Sequence, residues 1–215
     1  MESQVRGGTR WKRFAVVMVP SVAATAAIGV ALAQGALAAS FSVSGQSFKV
    51  RADKLVGHDF VQYGGVAEGT DLEGKKAIHP VAVSGFKTAE ITAMCQSVVT
   101  PLPLLNTSVT LVLNAGNKGR DIEAENLYLD VESLDADAVF KNIDIGVAAG
   151  ANKSPGTQPG TKANPTNPYG FAQQAETATL TDVKQTAWAT TAGTFKLPDL
   201  NLRLKVGDPS KYECY

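Results

Sequence analysis

Cysteine and histidine are nearly missing from this chain, with two of each in 215 residues. Two cysteines exclude a zinc ribbon or a disulfide-dense mini-protein, and two histidines leave few bases for catalysis. Neither sign of charge is in excess, at 20 basic against 20 acidic side chains, and no basic stripe appears beyond the first thirteen residues. A nucleic-acid partner is therefore not expected. H-E-x-x-H, C-x-x-C and nucleotide-type glycine loops are also absent, so no metal or cofactor is indicated. Past residue 38 no segment keeps helical periodicity over eleven residues. What is present is apolar material, 44% of the chain, enough for a packed globular core.

Arg6, Arg10, Lys12 and Arg13 precede an uncharged, mostly apolar run from Phe14 to Ala33. A positive flank is held on the cytoplasmic side, which sends the remainder outward. Two small-x-small sites follow, Ala31-Leu32-Ala33 and Ala36-Leu37-Ala38, and cleavage at the second would release a chain starting at Ala39. The run is also long enough to cross a bilayer. Residues 1–38 thus read as a hydrophobic helix that is either a signal peptide or a membrane anchor. Residues 39–215 read as a single extracytoplasmic domain, secreted or held at the cell membrane. Outside the cytoplasm the pair Cys95 and Cys214 is expected to form a disulfide tying the C-terminal tail to the body.

Alternation with a period of two marks strands. It is clearest at Leu200, Leu202, Leu204 and Val206, and recurs at Phe48 and Val50, at Val109, Leu111 and Leu113, at Leu127, Leu129 and Val131, and at Val139 through Ile145. Turn signals follow at Gly64-Gly65, Asn117-Lys118-Gly119, Gly146 and Gly207-Asp208-Pro209. Short strands with one polar face predict an all-β, antiparallel domain. A loose similarity among 48–60, 127–140 and 180–195 suits either a β-sandwich or a solenoid-like stack of hairpins. The Pro-, Gly- and Asn-rich stretch 148–170 predicts a disordered loop.

The chain resembles a family of uncharacterised exported proteins from actinobacteria. The stretches that carry the likeness are WKRFAVVMVPSVAATAAIGVALAQGALAASFSVSG, ADKLVGHDFVQYGG, ITAMCQSVVTP, VFKNIDIG and VKQTAWATTAGTF. The resemblance implies a cell-envelope protein whose gene neighbour is a multi-pass membrane protein, itself a possible partner, and members often carry the label cholesterol esterase. It transfers no catalytic residue.

The residues give that label little footing. An α/β-hydrolase nucleophile sits on a G-x-S-x-G elbow, which does not occur here. A triad on another scaffold would need His58 or His79 as base. His58 has Asp53 and Asp59 nearby, but neighbours on a strand face opposite ways. His79 precedes Pro80 and is expected at the start of an extended loop. Ser84 and Lys87 fit S-x-x-K, a pairing that requires a helix. Glu123, Glu125, Asp130, Glu132, Asp135, Asp137 and Asp144 read as a solvated strand face, because Asp135 and Asp137 lack the glycine and closing glutamate of a calcium loop.

One apolar site is suggested. Trp188 lies among small residues, and a groove lined by Trp188, Phe195, Leu200, Leu202 and Leu204 would accept an acyl chain or sterol. The expected function is that of a non-enzymatic envelope protein, structural or binding a lipid or partner, with secreted ester hydrolysis as the alternative.

Overall fold

The computed structural model describes residues 44–158 and 166–215, together with Met18. The expected N-terminal helix, signal peptide or anchor at 1–38 falls, apart from Met18, outside the described residues. Among the described residues no helix is long and apolar enough to cross a membrane.

Ser40–Tyr215 forms one compact unit built almost wholly of strands. In chain order these are β1 (Phe48–Thr70), β2 (Lys76–Thr92), β3 (Met94–Leu102), β4 (Thr107–Ala115), β5 (Ile122–Ala148), β6 (Phe171–Thr191), β7 (Thr194–Lys196) and β8 (Asn201–Val206). Every pairing is antiparallel, as the alternation predicts.

The strands differ from the expected short ones. β1 has 23 residues, β6 has 21 and β5 has 27, against a usual length of about six. Gly64 and Gly65, read as a turn, lie inside β1, and Gly146 lies inside β5. Each long strand is interrupted by a residue in the left-handed conformation: Asp59 in β1, Asn126 and Asn142 in β5, and Asp182 in β6. Asn and Asp tolerate that region because their short polar side chains bond locally. An irregularity of this kind bends a strand and moves its apolar set to the other parity. In β6, Ala178 and Leu180 are buried before Asp182, and Val183 and Gln185 after it.

Among the described residues all eight strands belong to one sheet, rather than to two packed sheets or a stack of separate hairpins. Its ladders β1–β2, β2–β5, β5–β6 and β6–β1 close on themselves into a ring. Strands this long accumulate enough twist to coil the sheet back onto its own first strand. The segments 48–60, 127–140 and 180–195 are stretches of β1, β5 and β6–β7, not repeated hairpins. β3, β4 and β8 extend the sheet from the free part of the β1 edge, leaving β8 as the terminal strand.

Two apolar clusters hold the domain together. Val50, Leu55, Phe60, Phe86, Ile91, Ile122, Leu127, Leu180 and Val183 come from all four ring strands and fill the ring. Val61, Tyr63, Val81, Val83, Tyr128 and Ala172 form a second cluster on the opposite face of the same strands. There Phe60 and Val61, adjacent in sequence, are both buried, because the sheet is covered on both sides. Part of the cover is the segment after β5: Ala149 packs in this cluster, the Tyr128 hydroxyl donates to Pro155 O at 3.0 Å, and Gln158 N donates to the Tyr63 hydroxyl at 2.6 Å.

Cys95 and Cys214 are joined by a disulfide, with Cα atoms 5.8 Å apart. Cys214 N also donates to Ser97 Oγ, and Glu213 pairs with Lys49, so the tail lies along β3 and β1.

Candidate functional site

The ring interior is the candidate site. Phe60 stands between Phe86 and Phe140, each ring centroid 5.3 Å away. Beside these rings is a cavity of about 130 Å³, bordered also by Leu180, Leu134, Ala136 and Ala138. A second space of about 30 Å³ lies between Val50, Met94, Gln96 and Phe195, and Leu55, Leu129 and Gln185 border both.

The lining is apolar with a few hydrogen-bonding groups. Gln62 Nε2 donates to Ser84 Oγ at 2.9 Å, and Gln173 Nε2 donates to Gln62 Oε1 at 2.6 Å. Gln62, Ser84 and Gln185 face the larger cavity. An apolar chamber with convergent polar groups is the usual form of a small-ligand site. Its size sets the ligand: a dry cavity of roughly 150 Å³ accepts benzene, whereas drug-sized ligands need about 300–1,000 Å³. The chamber therefore suits a single ring or the end of a hydrocarbon chain, and is too small for a whole sterol.

The groove expected from sequence does not assemble. Trp188 packs in the outer cluster and stacks on His79, with centroids 3.4 Å apart and planes 11° apart. Phe195 packs against the inner cluster. Leu200, just before β8, and Leu202 and Leu204 within it are exposed, at 52%, 55% and 67%, so their alternation marks a strand whose apolar face nothing among the described residues covers. Trp188 also borders an open, polar surface groove together with Lys49, Ser97, Thr186 and Glu213.

The esterase candidates are likewise dispersed. His79 lies within β2, not in a loop. His58 is exposed and its Nδ1 meets Thr177 Oγ1 at 3.4 Å, while the neighbouring Asp59 carboxylate accepts from Ser154 Oγ. Among the described residues no serine lies within hydrogen-bond distance of either histidine. Ser84 faces the ring interior and Lys87 bonds to Asn126 outside it, as expected for odd spacing on a strand. No group of three metal-ligating side chains occurs among the described residues.

Asp130 departs from the solvated face assigned to its neighbours. It pairs with Val83 and Ala189 across the sheet, is 9% exposed, and its Oδ1 has no hydrogen-bond partner among the described residues. Burial pushes its carboxyl up to about 6. Burial also raises Tyr128 and Tyr63 on the same face, with the Gln158 N–H opposing the rise at Tyr63. The sequence shows only an acidic residue between Leu129 and Val131. The five buried positions Leu127–Val131 show that β5 is covered on both faces here.

No curated protein and no solved structure matches the chain. Residues 44–215 match the model of a family of unknown function, DUF6230, and the chain belongs to that family.

Proposed function

We propose that this protein is a non-enzymatic, extracytoplasmic binding protein that takes a hydrocarbon chain end or a single ring into the interior of its β ring. The observation that carries this reading is the chamber of about 130 Å³ between Phe60, Phe86, Phe140 and Leu180, with Gln62, Ser84 and Gln185 at its wall. The disulfide supports an oxidising compartment, in keeping with the positive flank and apolar run at the N-terminus. An envelope location brings the domain close to lipids, whose chain ends have the right chemistry.

The test is native mass spectrometry of the full chain recovered from its host and after incubation with oleate. Ala136 borders the chamber, whereas Val139 is 62% exposed on the outside of β5. An apolar adduct that Ala136→Phe abolishes and Val139→Phe retains is the expected result. A chain that takes up no oleate, or takes it up equally in both variants, refutes the interior site.

A further inference from the structure

We infer that the β3–β4–β8 face is a membrane-contacting surface and that Leu104 and Leu105 enter the lipid headgroup region. In an antiparallel sheet, directly opposed residues share a face. Val109 pairs with Val206, Leu111 with Leu204 and Leu113 with Leu202, and Val98 of β3 lies opposite Leu111. The β8 residues of this row are exposed: Leu202 at 55%, Leu204 at 67% and Val206 at 65%. At the β3–β4 turn Leu104 is 99% exposed and Leu105 is 70% exposed. Two adjacent leucines projecting from a turn beside an uncovered apolar sheet face mark a contact surface.

The chain itself indicates what covers it. Gln46, near the start of the domain, donates from Nε2 to Val99 O at 2.7 Å and accepts from Thr100 Oγ1 at 3.1 Å. The upstream chain therefore joins the domain only a few residues from the turn that carries Leu104 and Leu105. Ten residues, 34–43, separate Ser44 from the apolar run ending at Ala33. Fully extended they reach roughly 35 Å, so in the uncleaved, anchored form the bilayer holding that run lies within reach of this end of the domain. On β8 the side chains of the opposite face, Asn201, Arg203 and Lys205, are polar, while on β4 and β3 that face carries Thr110 and Ser97 together with Val112 and Val99. At β8, the outermost strand, one face is thus apolar and the other polar, as contact with an interface requires.

This surface also meets the ring interior. Met94 and Gln96 border the smaller internal space, and Val98 continues their face of β3 outward. A lipid chain end leaving the bilayer would pass along apolar side chains to the chamber. That extension rests on the proposed interior site, whereas contact with the bilayer does not.

The experiment places the full chain in dioleoyl phosphatidylcholine–phosphatidylglycerol vesicles with and without brominated phosphatidylcholine. It compares the fluorescence of Leu105→Trp with that of Val139→Trp. Both positions are exposed, and Trp11 and Trp188 contribute the same background to both variants. Brominated lipid is expected to quench the added emission of Leu105→Trp and to leave that of Val139→Trp unchanged. Absence of quenching at both positions, or equal quenching at both, overturns the inference. Blue-shifted but unquenched Leu105→Trp emission, with a native mass twice that of the monomer, assigns the face to a second copy and also overturns it. Oleate uptake without quenching at Leu105 leaves the interior site standing and removes the membrane surface alone.

Discussion

Asp130→Asn is expected to stabilise this protein at neutral pH. The folded chain holds the Asp130 carboxyl at about 6, against an ordinary value of 3.8, because burial disfavours the carboxylate. Between pH about 4 and 6 the folded chain therefore retains a proton that the unfolded chain has lost. Stability from this group is highest below pH 4, falls as pH rises to 6, and stays low above it. A shift of about two pH units corresponds to ~3 kcal/mol. Asparagine resembles the protonated acid in size and polarity and cannot ionise, so the variant escapes the loss. Urea unfolding at pH 4 should find the two proteins equal to within ~1 kcal/mol, and at pH 7 it should find the variant more stable by ~3 kcal/mol. In thermal unfolding the same difference raises Tm by roughly 6–12 °C for a domain of this size. Equal stability at pH 7, or an unchanged difference from pH 4 to 7, would refute the argument and show that Asp130 ionises as readily in the folded chain as in the unfolded one.

Two further outcomes follow from the packing. Reducing the Cys95–Cys214 bridge opens a separation of 119 residues, and the chain-entropy model puts its contribution near 5 kcal/mol. Thermal unfolding with and without dithiothreitol should show a large drop in Tm, and an unchanged Tm would mean that the tail contacts suffice. Gly57→Ala would drive a Cβ into the Phe86 side chain inside the ring, and the overpacking should cost about 1–3 kcal/mol in urea unfolding. A neutral result there would show that the Phe60–Phe86–Phe140 cluster yields freely, in which case the chamber volume is not fixed by those rings.

Much of the strand content is legible in the alternation, yet its lengths are not. Asp59 and Asp182 reset the phase of β1 and β6 by adopting the left-handed conformation, so one strand reads in sequence as two short ones with a break between. Gly64-Gly65 carries the composition of a turn but continues β1, because Gly65 lies opposite Val81 and its missing Cβ leaves room for Val83. Leu200, Leu202 and Leu204 show the complementary error. Their period of two reports a strand truly, but periodicity cannot say whether anything covers the apolar face, and here nothing among the described residues does. Trp188 and Phe195 are seven residues apart on adjacent elements and still belong to opposite faces of the sheet.

The all-β class, the antiparallel pairing and the disulfide can be read from the residues without coordinates, because each depends on local period, residue type or cysteine number. Closure of the sheet, the meeting of Phe60, Phe86 and Phe140 around a chamber, the burial of Asp130 and an apolar face that nothing among the described residues covers emerge only in the folded chain. Those features arise from pairings between residues far apart in the chain, such as Leu55 with Ile91 on one edge and Leu180 on the other. Twist accumulated over strands of more than twenty residues brings such partners together, and no local pattern records where that twist ends.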